Sequence, residues 1–250
     1  MTKKKKLIRS AEERIIRVWG IEQVKDLMSR RTVYDCNGQH QEELDELWVQ
    51  EPEHQKTASF GRNWGYYVGM DEIQRYYVTE YNQKQQEELN AAAAQDPSVQ
   101  DESLGYGRFM FHPLSTPNVN LAEDGKTAQG TWYSIGADCY PNPDGTGNCM
   151  WNCQKICADF IKEPAGWKIW HVVFSNDFMI GTGHPVSELQ TVYIRGTGRD
   201  EIDFGDPTIS MLAHDPTYSW CDNYPPLNDP YETFTEAISY GPEGHPNYEG

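Results

Sequence analysis

Positive charge is scarce in this chain. Its 250 residues carry 21 Lys and Arg against 38 Asp and Glu, a formal net charge of -17. Nucleic acid is therefore excluded as an expected partner, because binding phosphates needs a basic face. The one basic cluster, Lys3 to Lys6, reads as a solvated tail. Long apolar runs are also missing. None approaches the roughly 18 residues that a membrane-spanning helix needs, and no apolar stretch of signal-peptide length follows the lysines. The expectation is a cytoplasmic protein with no membrane partner. There is no C-x-x-C knuckle and no histidine pair at ligand spacing, so no metal is expected. The six cysteines are Cys36, Cys139, Cys149, Cys153, Cys157 and Cys221. With no secretory signal they are expected as reduced thiols. Cys149, Cys153 and Cys157 recur every four residues, which places them on one face of a strand. No internal repeat is evident.

Aromatic residues, by contrast, are plentiful. There are 8 Trp and 15 Tyr in a chain that is 38% hydrophobic. Such side chains fill cores and also line sites for flat ligands. The length allows one large domain, or one domain with an extension.

Ser10 is an expected N-cap, with Glu12 and Glu13 in the first helical turn. Ile15, Ile16, Trp19, Val24, Leu27 and Met28 follow at helical spacing, with Gly20 as a possible interruption. Cys36-Asn37-Gly38 is a stop signal. A short helix with Leu44, Leu47 and Trp48 on one side ends at Pro52. The segment HQKTASFGRNWGYYVG reads as an irregular strand or loop. Asp71 opens another helix, with Ile73, Tyr76, Tyr77 and Tyr81 on its buried side. Residues 84–103 read as an exposed helical insertion and loop. Strands then dominate. One runs from Tyr106 to about Leu121, bent by Pro113 and Pro117. Asp124-Gly125 turns it into a strand from Thr127 to Cys139. Two more, Met150–Lys162 and Trp167–Phe178, are joined by EPAG. Beyond Gly181 lie just over half of the 15 prolines. That segment keeps Trp220, Tyr224, Tyr231 and Phe234, so it is expected to wrap the core or a partner subunit, with Trp220, Tyr224 and Phe234 largely buried.

Three groups of polar residues carry chemistry. Tyr34-Asp35 closes the first helix. Asp35 either caps the helix or orients a histidine across a cavity. His112 in RFMFHPL and His171 in KIWHVVF each stand in an apolar strand, either as core histidines or as proton carriers. Asn152 and Gln154 share a strand face. Turned inward, their amides bind a carbonyl or hydroxyl. Turned outward, they are surface residues, and the Cys149, Trp151, Cys153 and Cys157 face lies opposite. An apolar outer face of that kind is commonly covered by a second subunit.

The order of VYDCNGQ, WGYYVGMDEIQRYY, HPLSTPNVNLAEDGKTAQGTWYS and ADFIKEPAGWKIWH resembles the nuclear transport factor 2-like superfamily, in its polyketide cyclase-like and scytalone dehydratase-like branch. The resemblance spans roughly Ala11 to Phe178. It implies an α+β fold with a cone-shaped, curved antiparallel sheet packed against N-terminal helices. On this reading residues 1–180 form the cone domain, with an insertion at about 84–104, and residues 181–250 form a Pro-rich C-terminal extension. It also implies that Tyr34-Asp35 is the catalytic pair and that His112 is the histidine Asp35 serves. The family's second sheet histidine is absent from SIGADCY, where Asp138 is the nearest polar candidate. Gln154 and Ile156 fall near its substrate-binding positions.

The expected function is that of a cofactor-independent dehydratase or isomerase acting on a cyclic small molecule. His112 is the expected base and Asp35 orients it. Tyr34, Tyr66 or Tyr67 polarises the carbonyl, Trp64 and Trp132 form flat walls, and His171 is a second acid/base. The alternative is a non-catalytic binding or assembly protein using the same pocket. A homodimer or homotrimer through the outer sheet face and the extension is expected.

Overall fold

The protein's structure, a computed structural model, describes residues 9–95, 108–141, 147–183, 208–210, 225–246 and 248. Helix α1 (Ala11–Cys36) opens with a capping box: the Ser10 side chain accepts the Glu13 N–H while the Glu13 carboxylate accepts the Ser10 N–H. Two otherwise orphaned donors are thereby satisfied. The helix stops at Cys36, and Gly38 follows at φ +70°. Gly20 does not interrupt it. A Cβ there would lie 2.8 Å from a Leu121 methyl, so the glycine lets the helix press onto the sheet. The buried stripe of α1 runs Gly20, Val24, Leu27, Met28, Arg31, Asp35.

Helices α2 (His40–Leu47) and α3 (Pro52–Thr57) follow. The segment expected to be irregular forms a regular hairpin, β1 (Ser59–Arg62) and β2 (Gly65–Val68). Next comes one long helical stretch in three parts: α4 (Met70–Gln74), a π-helical turn (Arg75–Glu80) and α5 (Tyr81–Gln95). The wider π turn changes the rotation per residue, and Tyr76, Tyr77 and Val78 are all buried in succession. The described part of the expected insertion is not simply exposed: Gln85, Leu89 and Ala92 of α5 are buried.

Among the described residues the sheet contains eight strands, completed by β3 (Phe109–Phe111), β4 (Ser115–Leu121), β5 (Thr127–Pro141), β6 (Gly147–Glu163), β7 (Gly166–Gly181) and β8 (Ile209–Ser210). Its order is β3-β5-β6-β7-β1-β2-β8, with β4 also on β5. The strand expected from Tyr106 to Leu121 is thus two strands, because Pro113 cannot continue a ladder. Both pair with β5, and His112 falls in the gap between them. The sheet is mixed rather than wholly antiparallel. β1 runs parallel to β7, Ser59 opposite His171, because α3 and not a hairpin delivers it to that edge. Register shifts at Cys153/Gln154 and Asp159/Phe160 mark irregularities between β6 and β7, of the kind that bends long strands. The result is a curved, unclosed sheet.

Its concave face meets the helices in one apolar cluster that includes Val24, Met28, Leu44, Trp48, Phe60, Ile156, Phe160 and Phe174. Its convex face carries Cys157, Val173 and Tyr66 packed with Tyr240. There residues 225–246 of the same chain contact the sheet. Asn228 donates to the Gln129 carbonyl, Lys155 donates to the Pro225 carbonyl, and the Tyr240 N–H donates to Asp159. Phe234 is half-buried and packs on Trp170 at 4.9 Å. Trp220, Cys221 and Tyr224 lie outside the described residues. Cys139 and Cys149 are register partners joined by a disulfide, which corrects the expectation of reduced thiols for this pair. Cys36, Cys153 and Cys157 take part in no disulfide among the described residues. No described helix is long and apolar enough to cross a membrane.

Candidate active site

Strand alternation puts Ser134, Gly136 and Asp138 of β5 on the concave face. Their register partners on β6 are Gln154, Asn152 and Met150. His112 enters from the β3–β4 gap and lies over Gly136. A Cβ at position 136 would come 2.7 Å from His112 Nδ1 and 2.5 Å from the Phe111 carbonyl, so only glycine leaves room for the ring. The His112 backbone N–H donates to Cys36 Sγ, which ties the histidine to the end of α1. Its Nε2 stands 2.8 Å from Asp138 Oδ1, and its Nδ1 stands 3.1 Å from Gln154 Nε2. A carboxylate must be met by a donor, so Nε2 carries the proton and Nδ1 is the basic atom. Asn152 Nδ2 donates to the other Asp138 oxygen. Burial opposes charge on His112. The hydrogen bond and charge of Asp138, with Asp35 further away, outweigh that, and its pKa is raised.

These groups face a cavity of about 270 Å³. Trp64, Tyr76, Tyr81, Tyr140 and Phe174 give it aromatic walls, and Arg31, Arg62 and Arg108 bring positive charge. Arg62 lies over Phe60 and Phe174 at 5.0 Å.

A second polar cluster borders the same cavity. Arg31 approaches Asp35 Oδ1 and Glu43 Oε1, both at 3.3 Å. The Tyr77 hydroxyl stands 2.8 Å from Asp35 Oδ1 and 2.8 Å from Glu43 Oε2, and it accepts from Arg31 at 3.0 Å. Trp48 Nε1 donates to Glu43. Burial pushes Asp35 up, but the charges of Arg31, His40 and His112 bring it down to about 2. Glu43 is pushed by burial up to about 7 despite Arg31. His40 packs between Tyr77 and Tyr81, with both ring nitrogens buried and unpartnered, and burial lowers its pKa to about 4. Asp35, His40 and Glu43 have atoms close enough to share a metal ion. The Arg31 guanidinium already supplies the positive charge between the two carboxylates, which opposes a further cation there.

Of the residues singled out from the sequence, Asp35, His112, Trp64, Asp138, Asn152 and Gln154 line the cavity. The partnership differs from the expected one. No hydrogen bond joins Asp35 to His112, since the Asp35 carboxylate is engaged by Tyr77 and Arg31, and Asp138 holds the histidine instead. Tyr34 points away from the cavity, its hydroxyl donating to the exposed Glu46. His171 is buried on the convex side against Ser59, and burial lowers its pKa to about 3. Tyr66 packs into the convex cluster, and Trp132 packs against Phe160 in the core. Tyr67 accepts from Trp64 Nε1 and stacks on Tyr76 behind the cavity wall. The sequence reading missed Arg31, His40, Glu43 and Tyr77 as site residues. A signal existed for Arg31: it continues the apolar i, i+3/i+4 stripe of α1, where a charge needs a buried partner.

No curated protein matches the chain in sequence. Among solved structures it is similar to an NTF2-like protein with a cystatin-like fold from Novosphingobium aromaticivorans, at 17% identity and a TM-score of 0.43, covering 71% of this chain and 90% of that one. It is similar to Aln2 from a Streptomyces species, at 14% identity and 0.41, covering 68% and 95%. It is also similar to the hexachlorocyclohexane dehydrochlorinase LinA-type3 from Novosphingobium barchaimii, at 10% and 0.41, covering 65% and 89%. Residues 17–173 match the SnoaL-like domain, and this stretch contains the helices apart from the start of α1, the hairpin, and every strand that builds the cavity except the end of β7. The chain therefore belongs to the SnoaL-like domain family.

Proposed function

We propose that the protein is a cofactor-independent lyase or isomerase that moves protons on a cyclic, partly aromatic carbonyl compound. The observation that carries this reading is the Asp138–His112–Gln154 chain at the cavity wall. Asp138 fixes the imidazole tautomer and raises its basicity, so Nδ1 can take a proton from a carbon next to a carbonyl. In the unliganded cavity Nδ1 accepts from the Gln154 amide. A half-turn of that amide presents its oxygen instead, which then accepts from the protonated ring. Asp35, Tyr77 and Arg31 sit where negative charge on the carbonyl oxygen, or a departing hydroxyl, needs a donor. The aromatic walls favour a flat substrate.

The test is solvent exchange. In D2O the wild-type protein is expected to accelerate deuterium incorporation next to the carbonyl of a cyclic aryl ketone such as 2-tetralone. His112→Asn is expected to lose about 10²-fold or more of that acceleration, the scale of a general base, while keeping the melting temperature. Unchanged exchange in His112→Asn removes the base. If 2-tetralone binds to wild type without any exchange, the cavity is a binding site and the non-catalytic reading replaces this one.

A further inference from the structure

The Glu43–Tyr77–Asp35 contacts contain more acceptors than donors if both acids are ionised. Tyr77 has one hydroxyl hydrogen, yet its oxygen stands 2.8 Å from a carboxylate oxygen on each side. Two carboxylates cannot both be satisfied by one hydrogen. Arg31 does not resolve this: Nε goes to the other oxygen of Glu43, Nη2 lies 3.0 Å from the Tyr77 oxygen and 3.3 Å from Asp35 Oδ1, and the two 2.8 Å oxygen–oxygen contacts of Tyr77 still share one hydrogen. One additional proton closes the accounting. With Glu43 protonated, its O–H donates to Tyr77, Tyr77 donates to Asp35, and the tyrosine oxygen accepts from Glu43 and Arg31. Each of the two 2.8 Å oxygen–oxygen contacts then holds its own hydrogen.

We propose that Glu43 is held as a neutral carboxylic acid and that Glu43, Tyr77 and Asp35 form a proton relay opening into the cavity. The same contacts also fit the shifted state. The Glu43 proton passes to the Tyr77 oxygen as the Tyr77 proton passes to Asp35 Oδ1. Glu43 is left as a carboxylate facing Arg31 Nε and Trp48 Nε1, Tyr77 is neutral throughout, and Asp35 becomes an acid at the cavity wall. Asp35 can then protonate a carbonyl oxygen or a leaving hydroxyl while His112 Nδ1 holds the proton taken from carbon. Loss of that proton from His112 to solvent, and uptake of one by Asp35 that passes back through Tyr77 to Glu43, restore the starting state.

The environment favours the proton on Glu43 at rest. Glu43 is fully buried, whereas Asp35 lies at the cavity wall beside Arg31 and also faces the charge of His112. The charged or titratable groups facing Glu43 are Arg31 and Asp35 from α1, Tyr77 from the π turn, and His40 of its own helix, which burial keeps uncharged near neutral pH. Of these only Arg31 favours its ionisation by charge. Burial outweighs that and holds the carboxyl near neutrality in pKa.

The protonation claim stands apart from the proposed reaction, and only its kinetic consequence rests on that reading. Infrared difference spectra of the full-length protein below the Glu43 titration point should show the carbonyl stretch of a protonated carboxyl that is missing in Glu43→Gln. Asp159, also pushed up to about 7 by burial, gives a band common to both and cancels. Should Glu43→Gln fail to fold, Tyr77→Phe reports the same group: removing the hydroxyl acceptor should move the band to higher frequency. Both variants should also lose at least about tenfold of the exchange rate. The relay is overturned if the spectra of wild type and Glu43→Gln coincide, if Tyr77→Phe leaves the band unmoved, or if both variants keep full exchange while His112→Asn loses it. If His112→Asn keeps full exchange, the proposed base is wrong, and the band still decides the state of Glu43.

Discussion

Asp35 and Asp159 are buried carboxylates on opposite sides of one sheet, and they behave in opposite ways. Asp35, on the concave side, is brought down to about 2, whereas Asp159, on the convex side, is pushed up to about 7. Hydrogen-bond number does not explain this. Asp159 accepts from Gln129 Nε2, Ser239 Oγ and the Tyr240 N–H, and Asp35 accepts from Tyr77 and Arg31. The donors of Asp159 are all neutral, and the nearby Glu243 carboxylate raises it further. Beside Asp35 lies a guanidinium. A full charge in a low-dielectric setting outweighs several neutral dipoles. The concave side therefore keeps an ionised acid at the cavity wall. The convex side uses its acid to hold residues 239–240 of the chain against the sheet.

Removing the charge that makes the difference should have the largest effect. Arg31→Met leaves the ionised Asp35 buried without its counter-ion, and stability should fall by about 3–5 kcal/mol, read by urea unfolding at neutral pH. If the loss is no larger than for an ordinary surface change, Arg31 is not what separates the two acids. Gly136→Ala comes next. It drives a methyl into the Phe111 carbonyl and the His112 ring. A cost of about 1–3 kcal/mol is expected, with a loss of exchange activity beyond what the lost stability explains. An active, fully stable Gly136→Ala would show that the ring does not need its present seat.

The pH dependence separates the two carboxylates without mutating the cavity. A folded-state pKa above the unfolded value means that the folded protein binds the proton more tightly. Asp159 should therefore make stability fall as pH rises from about 3.8 towards 7. Glu43 contributes in the same direction between about 4.5 and 7. Asp35 has the opposite sign. Its contribution is complete above about 3.8 and is lost as pH falls towards 2. Unfolding curves across this range should flatten between pH 4 and 7 in Asp159→Asn while the acid limb stays. An unchanged slope would remove Asp159 from the account. The smallest effect is expected for Tyr34→Phe, which gives up only an exposed bond to Glu46. Its melting temperature and exchange rate should match wild type, and a loss of exchange would return Tyr34 to the site.

Local signals in the sequence were reliable where the physics is local. Ser10 with Glu13, Asn37-Gly38 and Asp124-Gly125 each satisfy or turn the backbone within a few residues, and each stands where it was expected. The placing of His112 and Asp138 was half legible. Both were noted, but their pairing depends on β3 and β5 lying side by side with Pro113 ending the first strand. The π turn at Arg75–Glu80 left no such signal, because its wider rotation is chosen by what the tyrosines pack against. Arg31, Glu43 and Tyr77 come from three separate elements, and nothing near any one of them in the chain announces the other two.

Propensity, capping, turn residues and charge were enough to specify the helices, the strand-rich second half and the acidic character of the chain. Which carboxylate serves which purpose was settled only on folding. The state of a buried acid depends on the field of groups brought to it from elsewhere in the chain. Asp138 became the partner of His112, and Asp35 became the end of a chain reaching back through Tyr77 to Glu43, because of where β5, α1, α2 and the π turn meet.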